Sequence, residues 1–131
     1  MTVVMGIMFL ANGRFLIARR PAHKMHGGLW EFPGGKLQDN ETAEQALCRE
    51  FSEELDIQIQ IVHALDEYSF EHGGLNIHFL PYTGRLSTPE VRLLEHQQAA
   101  FINVAELDQY PFAPPDYEIV HRLKQGLIPL P

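Results

Sequence analysis

Glu50, Glu53 and Glu54 stand at positions i, i+3 and i+4 of the segment REFSEE, and a 3.6-residue period gathers these three carboxylates on one helix face. In isolation such a face is unfavourable. Each like-charge pair costs roughly 0.2–0.5 kcal/mol, and the three lie near the helix C-terminus, where the macrodipole disfavours anions. A positive partner has to offset them. Hard divalent cations such as Mg²⁺ take oxygen ligands, keep several waters and bridge carboxylates to substrate phosphates, so phosphate chemistry is what this triplet would suit. An acidic helix also describes an ordinary solvated surface, and the surrounding residues have to decide between the two.

The elements that must position the carboxylates are legible on either side. Gly34 and Gly35 read as a flexible turn, a polar loop runs to Thr42, and Thr42 with Gln45 three residues on makes a capping-box pattern at a helix start. Ala43, Leu47, Phe51 and Leu55 recur at fourfold spacing, an apolar stripe that anchors the helix to a sheet and turns its acidic side to a cleft. Upstream, residues 3–10 form the near-continuous apolar run of a strand buried on both faces. Asn12-Gly13 signals a hairpin, residues 14–20 read as the returning strand ended by Pro21, and residues 21–29 read as a mobile loop. Downstream, residues 57–65, 67–70 and 75–82 read as strands, with a turn at Gly73-Gly74; residues 83–90 read as loop. Residues 99–104 make a further strand and 104–109 a short helix, and Asp116 is placed to cap a last helix that runs through Lys124. There is no repeat, linker or low-complexity segment, so one mixed α/β domain is expected over residues 1–131.

Gly35, five residues, Glu41, seven residues, then Arg49-Glu50-Phe51-Ser52-Glu53-Glu54 and an apolar Ile57 resembles the Nudix box of the Nudix hydrolase superfamily. One position departs, where Asp56 stands for the family's glycine. A glycine just past a helix supplies a left-handed residue, and Asp is among the few other types that tolerate that conformation. The departure is therefore expected to cost local stability and to leave the acidic face intact. The resemblance implies an α/β (α+β) Nudix fold, a mixed β-sheet sandwiched between helices. It also implies hydrolysis of a nucleoside diphosphate linked to another group, with Mg²⁺ or Mn²⁺ as cofactor. Carried over by position, it makes Glu50, Glu53 and Glu54 the metal ligands, with the carbonyl of Gly34 as a further oxygen. Glu41 and Arg49 then stand behind them, Arg49 pairing with a carboxylate to hold its orientation. Glu53 and Glu50 are the candidates for taking a proton from the attacking water, and a loop carboxylate is a third.

Outside the box, residues 19–21, 29–36 and 110–116 are similar to segments of the MutT-like nucleotide pyrophosphohydrolases. In that group Glu95 matches an additional acidic metal ligand or base, and Arg20, Phe32, Phe70 and Asp116 fall where the base binds. The residue types admit plainer roles too: Glu95 suits a surface loop, Phe32 and Phe70 suit the core, and Asp116 suits a helix cap. The group's namesake has Asn where this chain has Asp116. An amide donates and accepts, whereas an ionised carboxylate only accepts, so Asp116 would imitate Asn only if burial kept it protonated. The expected reaction is cleavage of a nucleoside triphosphate, 8-oxo-dGTP first, to the monophosphate and pyrophosphate. CTP, dCTP or a modified pyrimidine nucleotide is the alternative, and a nucleotide-binding module that does not cleave is a rival from another class.

Composition sets outer bounds. A length of 131 residues is enough for one core without disulfides or structural metals. A net charge of −7 excludes a duplex-binding surface, which needs a basic footprint. Cys48 is the only cysteine, so it is read as a structural thiol in a reducing compartment. The apolar N-terminus lacks a basic lead-in, which favours a strand over a signal peptide or membrane span. The expectation is a cytoplasmic monomer with a small-molecule nucleotide as its partner, without nucleic acid duplex or membrane. Seven histidines show no zinc spacing, His23 and His26 read as exposed loop residues, and Ser52 has no base partner that would support nucleophilic catalysis.

Overall fold

The apolar run near the N-terminus becomes the central strand, β1 (Thr2–Phe9), in the computed structural model, which describes residues 1–131. Its side chains alternate between two faces. Val4 and Met8 enter one core with Leu16, Leu47, Phe51 and Leu55, while Met5, Ile7 and Phe9 enter another with Phe15, Ile17, Ile119 and Leu123. Helix α1 (Ala43–Leu55) covers the first face and α2 (Tyr117–Lys124) the second. This is the expected sheet between helices, and no helix is long and apolar enough to cross a membrane.

The sheet is mixed and has eight strands. β1 pairs antiparallel with β2 (Phe15–Arg19) and β4 (Gly34–Lys36), and parallel with β7 (Leu75–Arg85). β2 also carries β3 (Trp30–Glu31) and β8 (Gln98–Ile102), and β7 carries β5 (Gln60–Ala64) and β6 (Tyr68–His72).

Several local expectations change. Gly34 and Gly35 are not a turn: they are strand residues registered against Met5 and Val4, and neither has a positive φ. Glycine is needed at 34 for close approach, because a Cβ there would lie 1.9 Å from the Val4 carbonyl oxygen. Residues 83–85 belong to β7 rather than to a loop, since the ladder along β1 continues through Thr83, Gly84 and Arg85 to Phe9. Residues 57–59 fall outside β5, and Val104–Gln109 forms a 3₁₀ turn rather than an α-helix. The predicted capping box is present, with Gln45 N–H donating to Thr42 Oγ1 and Thr42 N–H to Gln45 Oε1. At the other end of α1, Asp56 takes the left-handed conformation, φ 51° and ψ 47°, and its N–H donates to the Ser52 carbonyl. The helix closes as it would with glycine. Cys48 is exposed and unpaired, not buried as a structural thiol would be.

Candidate active site

A cleft of about 740 Å³ opens beside α1, lined among others by Arg20, Glu31, Gly35, Glu50, Glu54 and Asp116. The three helix glutamates share a face but not an environment. Glu54 is buried, Glu50 is partly buried at the cleft wall, and the Glu53 side chain is 59% exposed. Glu50 and Glu54 line the cleft together with Gly34 and Glu95, whereas Glu53 stands outside its lining.

Arg49 organises the outer side of this face. Its Nη2 and Nε donate to the two oxygens of Glu41 at 2.7 and 3.0 Å, and its Nη1 donates to Glu50 at 2.9 Å and to Glu53 at 3.3 Å. A further bond runs from Nη2 to the Lys36 carbonyl, which ties helix to strand β4. The hydrogen bond from Arg49 holds the Glu41 carboxyl below the usual range, and Glu41 in turn raises the guanidinium pKa. A planar fork shared by three carboxylates fixes their spacing in a way a point charge does not.

Gly35 completes the wall. A Cβ there would come within 2.3 Å of the Glu50 carboxyl carbon, so Gly35→Ala displaces the end of a side chain rather than backbone. Turnover is expected to fall by roughly 10²-fold, the effect of a misplacement of about an ångström at a reacting centre, with the melting temperature almost unchanged. Steady-state kcat beside a thermal melt checks this, and unchanged kcat would separate Glu50 orientation from catalysis.

Glu54 carries the strongest electrostatic signal. Burial first, then the neighbouring carboxyl of Glu50 and the charge of Glu31, hold its carboxyl well above the usual range. Its Oε2 is buried without a partner. A carboxyl so placed needs a proton or a cation, and the set of oxygen donors on this wall suits a hard divalent ion. Glu50 and Glu54 could hold such an ion, with Glu95 at the cleft mouth; Glu95 pairs with Lys24 of the 21–29 segment. When bound, the ion would offset charge on phosphoryl oxygens and lower the pKa of a coordinated water.

Two further residues escaped the sequence reading. The imidazole of His96 is 1% exposed, and its Nε2 lies 2.8 Å from Glu31 Oε2 and 3.5 Å from Glu54 Oε1. Glu31 is also paired with Arg20. Glu31, Glu54 and His96 form a group of metal-capable ligand atoms, drawn from β3, α1 and the segment before β8. The sequence separation of 65 residues between Glu31 and His96 gives no spacing signal.

At the far end of the cleft Asp116 is buried, and its Oδ2 accepts a hydrogen bond from the Phe32 N–H at 2.8 Å. It makes no cap bond to α2, so the helix-cap reading does not hold. Burial, reinforced by the charge of Glu31, raises its carboxyl well above the ordinary range. Phe32 is buried against Phe112, with ring centroids 5.3 Å apart, and reaches the cleft lining from the core. Phe70 is half-buried on β6, stacks with His72 and lies outside the cleft lining. The structure therefore brings together Arg20, Phe32, Gly34, Glu50, Glu54, Glu95 and Asp116, with Arg49 and Glu41 behind Glu50.

The chain matches the NUDIX domain over residues 4–122. It is 33% identical over 120 residues to a CTP pyrophosphohydrolase of Escherichia coli (strain K12), covering 92% of this chain and 89% of that protein. It is 31% identical over 121 residues to an 8-oxo-dGTP diphosphatase of Haemophilus influenzae, with 92% and 89% covered. The solution structure of the E. coli ORF135 protein superposes with a TM-score of 0.81 at 33% identity, covering 96% of this chain and 89% of that one. An acidic helix packed on a mixed sheet, matched over nearly its whole length to this domain, places the chain in the Nudix family as a hydrolase acting on diphosphate bonds.

Proposed function

We propose that this protein hydrolyses a nucleoside triphosphate to the monophosphate and pyrophosphate, with 8-oxo-dGTP as its leading substrate and Mg²⁺ as its ion, Mn²⁺ serving in its place. The observation that carries the base assignment is the burial of Asp116 with one oxygen taken by the Phe32 N–H. A carboxyl kept neutral there offers one donor and one acceptor, as the amide of Asn does. The edge of 8-oxoguanine presents an O6 acceptor beside an N7–H donor, and a neutral carboxyl complements both. Unmodified guanine presents two acceptors, N7 and O6, and leaves one of them facing an acceptor. Such mismatches inside a closed site discriminate strongly.

The same observation supports a second reading. Cytosine presents its N4 donor beside the N3 acceptor, so a neutral carboxyl complements it equally well, and a relative of this chain is named for CTP. In both readings Glu50 and Glu54 hold the ion with the Gly34 carbonyl, and Glu95 joins them. Glu50 is the preferred group for taking the water's proton, because it lines the cleft and Glu53 does not. Arg20, Phe32 and Asp116, which line the cleft, receive the base.

The deciding experiment is kcat/KM with Mg²⁺ for 8-oxo-dGTP, dGTP, CTP, dCTP and 5-substituted dCTP, with monophosphate and pyrophosphate measured separately. A preference for 8-oxo-dGTP over dGTP of several orders of magnitude supports the first reading. A preference for cytidine nucleotides selects the second. Binding without pyrophosphate release from any of them would overturn both, and chelation of the metal should abolish turnover in either.

A further inference from the structure

We propose that His96 is a positioning residue that couples Glu31, on the base side of the cleft, to Glu54 on the metal side, so that cation binding depends on Glu31 although Glu31 need not touch the cation. The inference rests on Glu54 being a metal ligand, as read above.

Nε2 of an imidazole carries at most one N–H, and two carboxyl groups face it while Nδ1 has no partner. Glu31 Oε2 at 2.8 Å is within hydrogen-bond length, and Glu54 Oε1 at 3.5 Å is not. The N–H is thus committed to Glu31. Arg20 shares the other oxygen of Glu31, so a chain of polar contacts runs from Arg20 through Glu31 and His96 to the edge of Glu54. Take away the charge on Glu31 and the same N–H turns to Glu54, where it competes with a cation for that carboxylate. Glu31 therefore strengthens metal binding by occupying His96.

The burial of His96 fits a role beyond packing. Its Nδ1 is buried without any partner, an unfavourable arrangement that an apolar side chain of similar size would avoid. Only Nε2 is used, and both of its neighbours are carboxylates of the cleft.

The test is the affinity of the nucleotide-free protein for Mn²⁺, read from the EPR signal of free Mn²⁺, with and without Glu31→Gln, in three backgrounds. These are the wild type, His96→Gln and His96→Asn. A Gln amide nitrogen reaches about the place of Nε2, and an Asn amide nitrogen only that of Nδ1. In the wild type Glu31→Gln is expected to weaken Mn²⁺ binding by roughly 10-fold or more, the usual effect of removing a group behind a metal ligand. With His96→Gln most of that factor should remain, and with His96→Asn it should fall below about threefold. A purely structural histidine would give the same factor in every background, as would direct repulsion or attraction through space, and that result overturns the coupling. Where the Asn variant does not fold, His96→Leu takes its place with the same expectation. Glu54→Gln separates the two levels. If it leaves Mn²⁺ affinity unchanged, Glu54 is no ligand and both readings fall; if it weakens binding while the Glu31→Gln factor is constant, only the coupling falls.

Discussion

Glu50→Gln is expected to lower kcat by roughly 10²- to 10⁴-fold, the range for loss of a positioned general base. Stability should stay within about 1 kcal/mol of the wild type. Glu50 is partly buried at the cleft wall, within 2.9 Å of Arg49 Nη1. The Gln carbonyl oxygen keeps an acceptor for that guanidinium, and Arg49 retains both oxygens of Glu41. What disappears is the charge and the capacity to take a proton. Glu53→Gln makes the informative comparison. Its side chain is largely exposed and stands off the cleft, so removing its charge also relieves like-charge crowding on α1 and should leave the melting temperature unchanged or raised. Kinetics and thermal melts of both variants settle the division of labour. A Glu50→Gln enzyme with wild-type turnover removes Glu50 from the proton transfer, and a Glu53→Gln enzyme with wild-type turnover removes Glu53 from the site.

Asp116→Asn should retain the base preference within about 10-fold, while Asp116→Ala should lose it by roughly 5- to 150-fold, equivalent to about 1–3 kcal/mol for an unmade buried hydrogen bond. The Asn carbonyl oxygen still accepts from the Phe32 N–H, and its amide supplies the donor that the neutral carboxyl supplies in the wild type. Ala leaves the Phe32 N–H buried without an acceptor and should lower stability as well. The pH dependence separates Asp from Asn further. Burial raises the folded-state pKa of Asp116 above its unfolded value, so the folded chain holds a proton that the unfolded chain has released. Its contribution to stability is complete below the unfolded pKa of about 3.9 and is lost as pH rises through the folded pKa. Base discrimination should fade over the upper part of that window, where the donor is titrated away. In Asp116→Asn the Asp116 share of the stability slope and the fading of the base preference should both vanish. A base preference that strengthens as pH rises would mean that Asp116 reads the base as an ion.

These outcomes depend on features that the chain displays to different degrees. The carboxylate triplet, the capping box at Thr42, the apolar stripe through Leu47, Phe51 and Leu55, and the reaction class were all readable in order along the sequence. Each is a local pattern: helix periodicity and end-capping act over a few residues, so the relevant neighbours in space are also neighbours in the chain. Asp56 belongs with them, since tolerance of a left-handed cap is a property of the residue type.

Other features became decidable only once the sheet had formed. Gly34 and Gly35 look like a turn in sequence, yet they are strand residues whose lack of a side chain serves contact with Val4 and Glu50. Thr83-Gly84 looks like loop, and continued parallel pairing along β1 makes it strand. Asp116 looks like a helix cap and instead accepts a hydrogen bond from a residue 84 positions away. The unequal burial of Glu50, Glu53 and Glu54 likewise has no trace in their spacing. The sequence by itself determined which groups are available and how a single helix arranges them. Tertiary structure decided which of them leave water and which charges meet, placing His96 between Glu31 and Glu54, because desolvation and Coulomb interaction depend on distances in space that no local period encodes.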